Sequence, residues 1–110
     1  MRIFTFVSMI VILAGSSNSY AADGKKSYDE KCKVCHAVDG TGNVGLAKAK
    51  KIDPALLDLT KPAVKKYSDL ELLKIARDGK DTMKGIPADK LSDDELKAVI
   101  SHVRTLQKTK

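Results

Sequence analysis

The run Cys32-Lys33-Val34-Cys35-His36 constrains this chain more than any other feature. It is a C-x-x-C-H unit, the pattern that attaches a c-type haem. The spacing has a chemical reason. Two thiols three positions apart reach the two vinyl groups on one porphyrin edge and form thioethers. A histidine directly after the second thiol lies beneath the iron, where its imidazole becomes the proximal axial ligand. A chain with this unit folds around a large, flat, apolar group as well as around its own side chains.

C-x-x-C also serves other chemistries: a redox dithiol, half of a zinc site, or a disulfide. A zinc site needs two more ligands. The sequence has no third cysteine, and outside the motif its one histidine is His102. A thioredoxin-like dithiol expects a βαβ setting, and no run here alternates with a period of two. The haem reading is the one the surrounding sequence supports.

The N-terminus reads as an export signal. Met1-Arg2 is a short positive region, Ile3 to Ala14 an apolar run, and Gly15 to Ser19 small and polar. Ser19-Tyr20-Ala21 places small residues at the −3 and −1 positions of a cleavage site, so cleavage is expected after Ala21. The apolar run is short for a spanning helix, which needs about 20 residues, so no stable membrane insertion is expected. This divides the chain into a secretory signal at 1–21 and one mono-haem domain at 22–110. Covalent haem attachment in bacteria takes place outside the cytoplasm, and the expected location is the periplasm.

The part after residue 21 has no Trp and no Phe; its only aromatics are Tyr28 and Tyr67. A domain this short buries a limited share of its surface. Haem is therefore expected to be structural as well as functional. The formal charge of +6 falls by one when Arg2 leaves with the signal. The basic excess suggests an acidic docking partner. It does not suggest nucleic acid, because no nucleic-acid motif accompanies it and the charges are dispersed.

The coarse structure reads as helices joined by loops. Ser92-Asp93-Asp94-Glu95 is a capping box, with Leu91 and Leu96 placed as its hydrophobic staple. Leu96, Val99, Ile100, Val103 and Leu106 then follow helical spacing on one face. The pattern predicts a helix over about Ser92 to Gln107. Ser68-Asp69-Leu70-Glu71 repeats the grammar, with Tyr67 and Leu72 as the staple and Gly79 as the stop. That helix is expected over about Ser68 to Asp78. A first helix runs from Asp23, an acceptable N-cap, through Tyr28 into the haem motif. Between His36 and Ser68, Gly40-Thr41-Gly42-Asn43 is turn-rich and Pro54 and Pro62 interrupt any long helix. A short helix fits Pro54 to Leu57. Leu56, Leu57 and Leu59 are expected against the porphyrin, although ordinary core burial fits them equally. Essentially no sheet is expected.

The second axial ligand has three sources: Met83, His102 and lysine side chains. Met83 is the only methionine after residue 21, in a Gly/Pro-shaped segment between the two best helices. Pairing of Met with His is one of the ligand sets of c-type haems, and Met83 is the expected distal ligand. His102, in the middle of the last helix, is expected to pack or to present a polar group at the surface and not to ligate.

The chain resembles the bacterial class I cytochromes c, small mono-haem electron carriers. Gly24 and Tyr28 match the family's glycine and aromatic on the first helix, which pack against the last. Asp39-Gly40-Thr41-Gly42-Asn43 matches its D-G-x-G-N. Ser68-Asp69 with Glu71-Leu72 resembles its S-D-x-E-L, and Thr82-Met83 its T-M. Leu91 to Leu96 with Val103-Arg104-Thr105-Leu106 resembles its closing helix. The resemblance implies an all-α fold of three to five helices around one covalent haem c, held by Cys32 and Cys35 with His36 and Met83 as axial ligands. Two departures stand out. Lys84 occupies the place of the proline that usually follows the ligand methionine. His102 stands where the family has an aromatic before the V-R pair, which would put it beside Gly24 and Tyr28 at the helix crossing.

With both axial positions filled, one-electron Fe(III)/Fe(II) exchange is what remains. The expected function is a soluble, monomeric periplasmic carrier between respiratory redox proteins, with no catalytic residues and no enzyme activity. Lys33, Lys48, Lys50, Lys51, Lys61, Lys65 and Lys66 are candidates for a positive rim, with Lys33 inside the motif. The competing reading is a haem-based sensor or peroxidase-like enzyme with a labile sixth ligand.

Overall fold

The computed structural model describes residues 23–110. The expected export signal at 1–21 and its expected cleavage site lie outside the described residues. Helix α1 spans Gly24–Lys31 and starts where the Asp23 carboxylate accepts the Lys26 N–H at 3.1 Å. It does not run straight into the haem motif. Cys32 (φ −117°) interrupts it, and Lys33–His36 forms a separate turn, α2, closed by Ala37 at φ +64°. Helix α3 spans Val44–Lys50, capped by the Asn43 side chain on the Leu46 N–H and ended by Lys51 in the left-handed conformation. A 3-10 turn at Pro54–Leu57 follows, capped by Asp53. Pro62 opens α4, Pro62–Lys65, as prolines do at a first helical position.

Helices α5 (Asp69–Asp78) and α6 (Asp93–Lys108) carry both expected capping boxes. Ser68 and Ser92 accept the N–H groups of Glu71 and Glu95 at 3.1 and 3.2 Å, and each glutamate returns to its serine's N–H. Sheet is not wholly absent. Gly79–Lys80 (β1) and Met83–Lys84 (β2) form a two-residue antiparallel ladder, with Lys80 opposite Met83. Asp81, in its turn, takes φ +54°, the positive value that tight hairpin turns need and that Asp tolerates better than most residues. Among the described residues four helices exceed a single turn, within the expected three to five; α3, α4 and the ladder are additions to the expected elements, and α2 is the expected first helix broken at Cys32. Among the described residues no helix is long and apolar enough to cross a membrane.

The core gathers where α6 crosses α1. Tyr28, Leu91, Leu96, Val99, Ile100 and Val103 are buried together, with Leu72, Leu73 and Ala76 of α5 packed against them. Leu91 and Leu96 sit at the α6 staple positions and are nearly fully buried. The crossing depends on Gly24, where a Cβ would collide with the Ala98 carbonyl. Tyr28 and His102 meet beside it, ring centroids 5.2 Å apart and tilted by 58°. His102 therefore packs in the crossing, as its place in the pattern implied.

Gly24→Ala forces this crossing apart. Overpacking of a well-filled contact costs about 1–3 kcal/mol, and the clash here is with backbone, which cannot rotate away. The melting temperature of the haem-loaded protein should fall by roughly 10–20 °C at the upper end of that cost. A change of under about 3 °C in a thermal melt would show that α1 and α6 separate without penalty.

Candidate haem site

Cys32, Cys35, His36 and Met83 line one cavity of about 520 Å³. Cys32 stands at the α1–α2 break, Cys35 and His36 on α2 and Met83 on β2, so distant parts of the chain converge on one space. The volume falls within the roughly 300–1,000 Å³ of cofactor pockets. Leu46, Ile52, Leu56, Leu57 and Leu59 line one part, and Leu72, Leu96, Val99 and Val103 carry the core face of α5 and α6 into another. The three leucines expected against the porphyrin all lie here.

His36 is buried, with 8% of its surface exposed. Its Nδ1 lies 2.8 Å from the Leu57 carbonyl oxygen. A carbonyl only accepts, so Nδ1 carries the proton and Nε2 is left with its lone pair, as a metal-binding imidazole requires. Burial lowers the His36 pKa, partly offset by the Leu57 bond, so the ring is neutral at physiological pH. The turn after it is held on several sides. The Gly42 N–H donates to the His36 carbonyl at 2.8 Å, and the Tyr28 hydroxyl to the Ala37 carbonyl at 2.6 Å. Burial raises the Tyr28 pKa far above its usual value, with the Cys32, Asp39 and Asp29 charges adding, so it stays a donor.

The alternative uses of the cysteines find no support in this geometry. Burial, with Cys35 adding, pushes the Cys32 thiol up to about 11, the reverse of an activated redox dithiol. Among the described residues, no three His, Cys, Asp or Glu side chains converge as a metal cage. A pair of thiols, a neutral imidazole with one free nitrogen, a thioether and an apolar wall fit a covalently held haem.

Lys31, Lys50, Lys61, Lys80 and Lys84 line the cavity, against Asp58 and Asp81. Of the lysines singled out, Lys50 and Lys61 take part. Lys33, Lys48, Lys51, Lys65 and Lys66 are not among the lining residues, and Lys65 instead reaches the Lys110 carbonyl at 3.3 Å. Lys31 and Lys84 adjoin Cys32 and Met83 in sequence, a signal that could have picked them out. Tyr67 also lines the cavity; its ring lies 4.9 Å below the Lys80 ammonium, which donates to its hydroxyl.

A small helical domain with a C-x-x-C-H wall and an apolar cavity defines a c-type haem protein. The family model for cytochrome c matches residues 21–107. The chain belongs to the cytochrome c family as a class I c-type cytochrome, and its cofactor is covalent haem c. A comparison with curated proteins found no match. Members of the family are haem-based electron carriers, and at that level this is the function of the chain.

Proposed function

We propose that the protein is an exported one-electron carrier in which Cys32 and Cys35 form the thioethers and His36 and Met83 are the two axial ligands. The convergence of these four side chains on one apolar cavity carries the reading. Bound there, haem supplies one-electron Fe(III)/Fe(II) exchange, with thioether ligation favouring the reduced state. The residues supply the rest. The Leu57 carbonyl holds the His36 imidazole in the ligating tautomer. The leucine wall excludes water, and two protein ligands leave no position for a substrate, which makes this a carrier and not an enzyme.

Residues 1–21 read as a cleavable signal, which places the mature domain in the periplasm, in exchange with respiratory redox proteins. Five lysines against two aspartates around the cavity suit an acidic partner. The domain works as a monomer in this reading, with no contact to nucleic acid.

The test is electron transfer from the ferrous protein to an acidic redox protein. The rate should fall several-fold between about 10 mM and 500 mM salt, because the Debye length shrinks from roughly 30 Å to a few ångströms. Charge-reversal at Lys31, Lys50 and Lys61 should flatten that dependence. Prompt carbon monoxide binding by the unmutated ferrous protein would move the assignment to a haem-based sensor or peroxidase-like enzyme.

A further inference from the structure

Met83 sits on a two-residue strand and not on a helix. The segment from Gly79 to Leu91 must nevertheless deliver its thioether to a fixed place. One side chain outside the cavity reaches both its middle and its end. Arg77, in the last turn of α5, donates from Nη1 to the Ile86 carbonyl at 3.2 Å and to the Leu91 carbonyl at 2.6 Å. Its Nη2 donates to Asp93 Oδ1 at 2.6 Å, in the first turn of α6. The Ile86 N–H, in turn, donates to the Ala76 carbonyl at 2.8 Å. Both polar groups of the Ile86 backbone are thus tied to one turn of α5, three residues after Met83.

We propose that Arg77 is the positioning residue for Met83, clamping the ligand segment between α5 and α6. The proposal rests on the reading of Met83 as the axial ligand. The bland account is a surface ion pair between Arg77 and Asp93. Asp93 is 71% exposed and such a pair contributes little. The Arg77 side chain is only 16% exposed, and its bonds to two part-buried carbonyls are of the stronger, charge-assisted kind. The close approaches of the segment agree. A Cβ on Gly85 would collide with the Arg77 carbonyl, and one on Gly79 would lie 2.5 Å from the Met83 carbonyl oxygen. At Gly85 the segment runs close against the backbone of the last turn of α5, and at Gly79 the two sides of the hairpin approach each other closely. A guanidinium fork can serve three acceptors at fixed angles, and a lysine ammonium cannot reproduce that geometry.

The test uses the haem-loaded protein with Arg77→Met and Arg77→Lys. Arg104→Met serves as the matched control, because Arg104 also ties helices together, through Asp69 Oδ1 at 2.9 Å and the Tyr67 carbonyl. The readouts are the near-infrared methionine-to-iron band of the ferric form and carbon monoxide binding by the ferrous form. Both Arg77 variants should bind carbon monoxide about tenfold faster or more, the factor carried by losing one charge-assisted hydrogen bond. Their ferric band should weaken at temperatures where the helices remain folded. Arg104→Met should lower the melting temperature comparably and leave the band and the carbon monoxide resistance in place. A band unmoved in Arg77→Met, or moved equally in Arg104→Met, overturns the clamp. A band missing from the unmutated protein sinks the Met83 reading itself, and the role of Arg77 with it.

Discussion

Replacing Cys32 and Cys35 together by alanine should leave a chain that cannot keep its fold once haem is extracted. The reason is the size of the space the cofactor fills. The cavity of about 520 Å³ is bordered by Leu96, Val99, Ile100 and Val103, which are also core residues of the α1–α6 crossing. At about 24 cal/mol per Å³, an empty space of that size costs on the order of 10 kcal/mol, as an upper bound for a cavity open to water. A domain's whole stability is about 5–15 kcal/mol. The large side chains nearby are already committed: Tyr28 is buried in the crossing, Tyr67 at the cavity wall is bonded to Lys80, and there is no tryptophan or phenylalanine after residue 21. The parent should carry one haem in its intact mass after denaturation, and the double variant should not. Haem held in the variant by His36 and Met83 alone should be extractable, after which helical circular dichroism and cooperative melting should vanish. A cooperatively folded apo-variant would show that the side chains alone complete the core. A haem increment that survives denaturation in the variant would show that the thioethers lie elsewhere.

The second large effect is expected from Met83→Ala. Among the described residues Met83 is the only thioether lining the cavity, and its loss should open the sixth position. The ferrous variant should bind carbon monoxide readily where the parent resists. The ferric near-infrared band should disappear. The potential should fall by something on the order of 0.1–0.3 V, within the roughly 0.8 V over which axial ligands tune haem. The sign follows from chemistry: the lost thioether favours ferrous iron, so its replacement by water or nothing stabilises the ferric form. Lysines line the same cavity, Lys80 and Lys84 closest in sequence to Met83. Retention of the band and of carbon monoxide resistance in Met83→Ala would show that another side chain holds the iron.

Much of this protein is written locally. The haem unit is five consecutive residues whose spacing is set by porphyrin chemistry, so no fold is needed to read it. The capping boxes at Ser68 and Ser92 and the apolar stripe of α6 are contiguous too, and both helices lie where the pattern puts them. His102 and Gly24 were legible through the resemblance to a family with a known crossing. Weaker local signals went unread: Asn43 caps α3 and Pro62 opens α4, but both lie in a turn-rich stretch where glycine and proline dominate the pattern.

What only the tertiary structure decided depends on contacts between distant residues. The Leu57 carbonyl that sets the His36 tautomer lies 21 positions away, and a backbone oxygen leaves no mark in a sequence. Which lysines line the cavity was not legible, because charge dispersed along a chain says nothing about which residues share a face. The β1–β2 ladder is two residues a side, too short to show a period of two. In the sequence Arg77 is one charge near the end of a helix with nothing to single it out; its bonds appear only where α5, the Met83 segment and the start of α6 come within reach of one guanidinium. Sequence determined which groups could hold a haem, because that is a matter of neighbouring chemistry. Folding determined how they are oriented and held, because that depends on which distant backbone groups packing brings within hydrogen-bond distance.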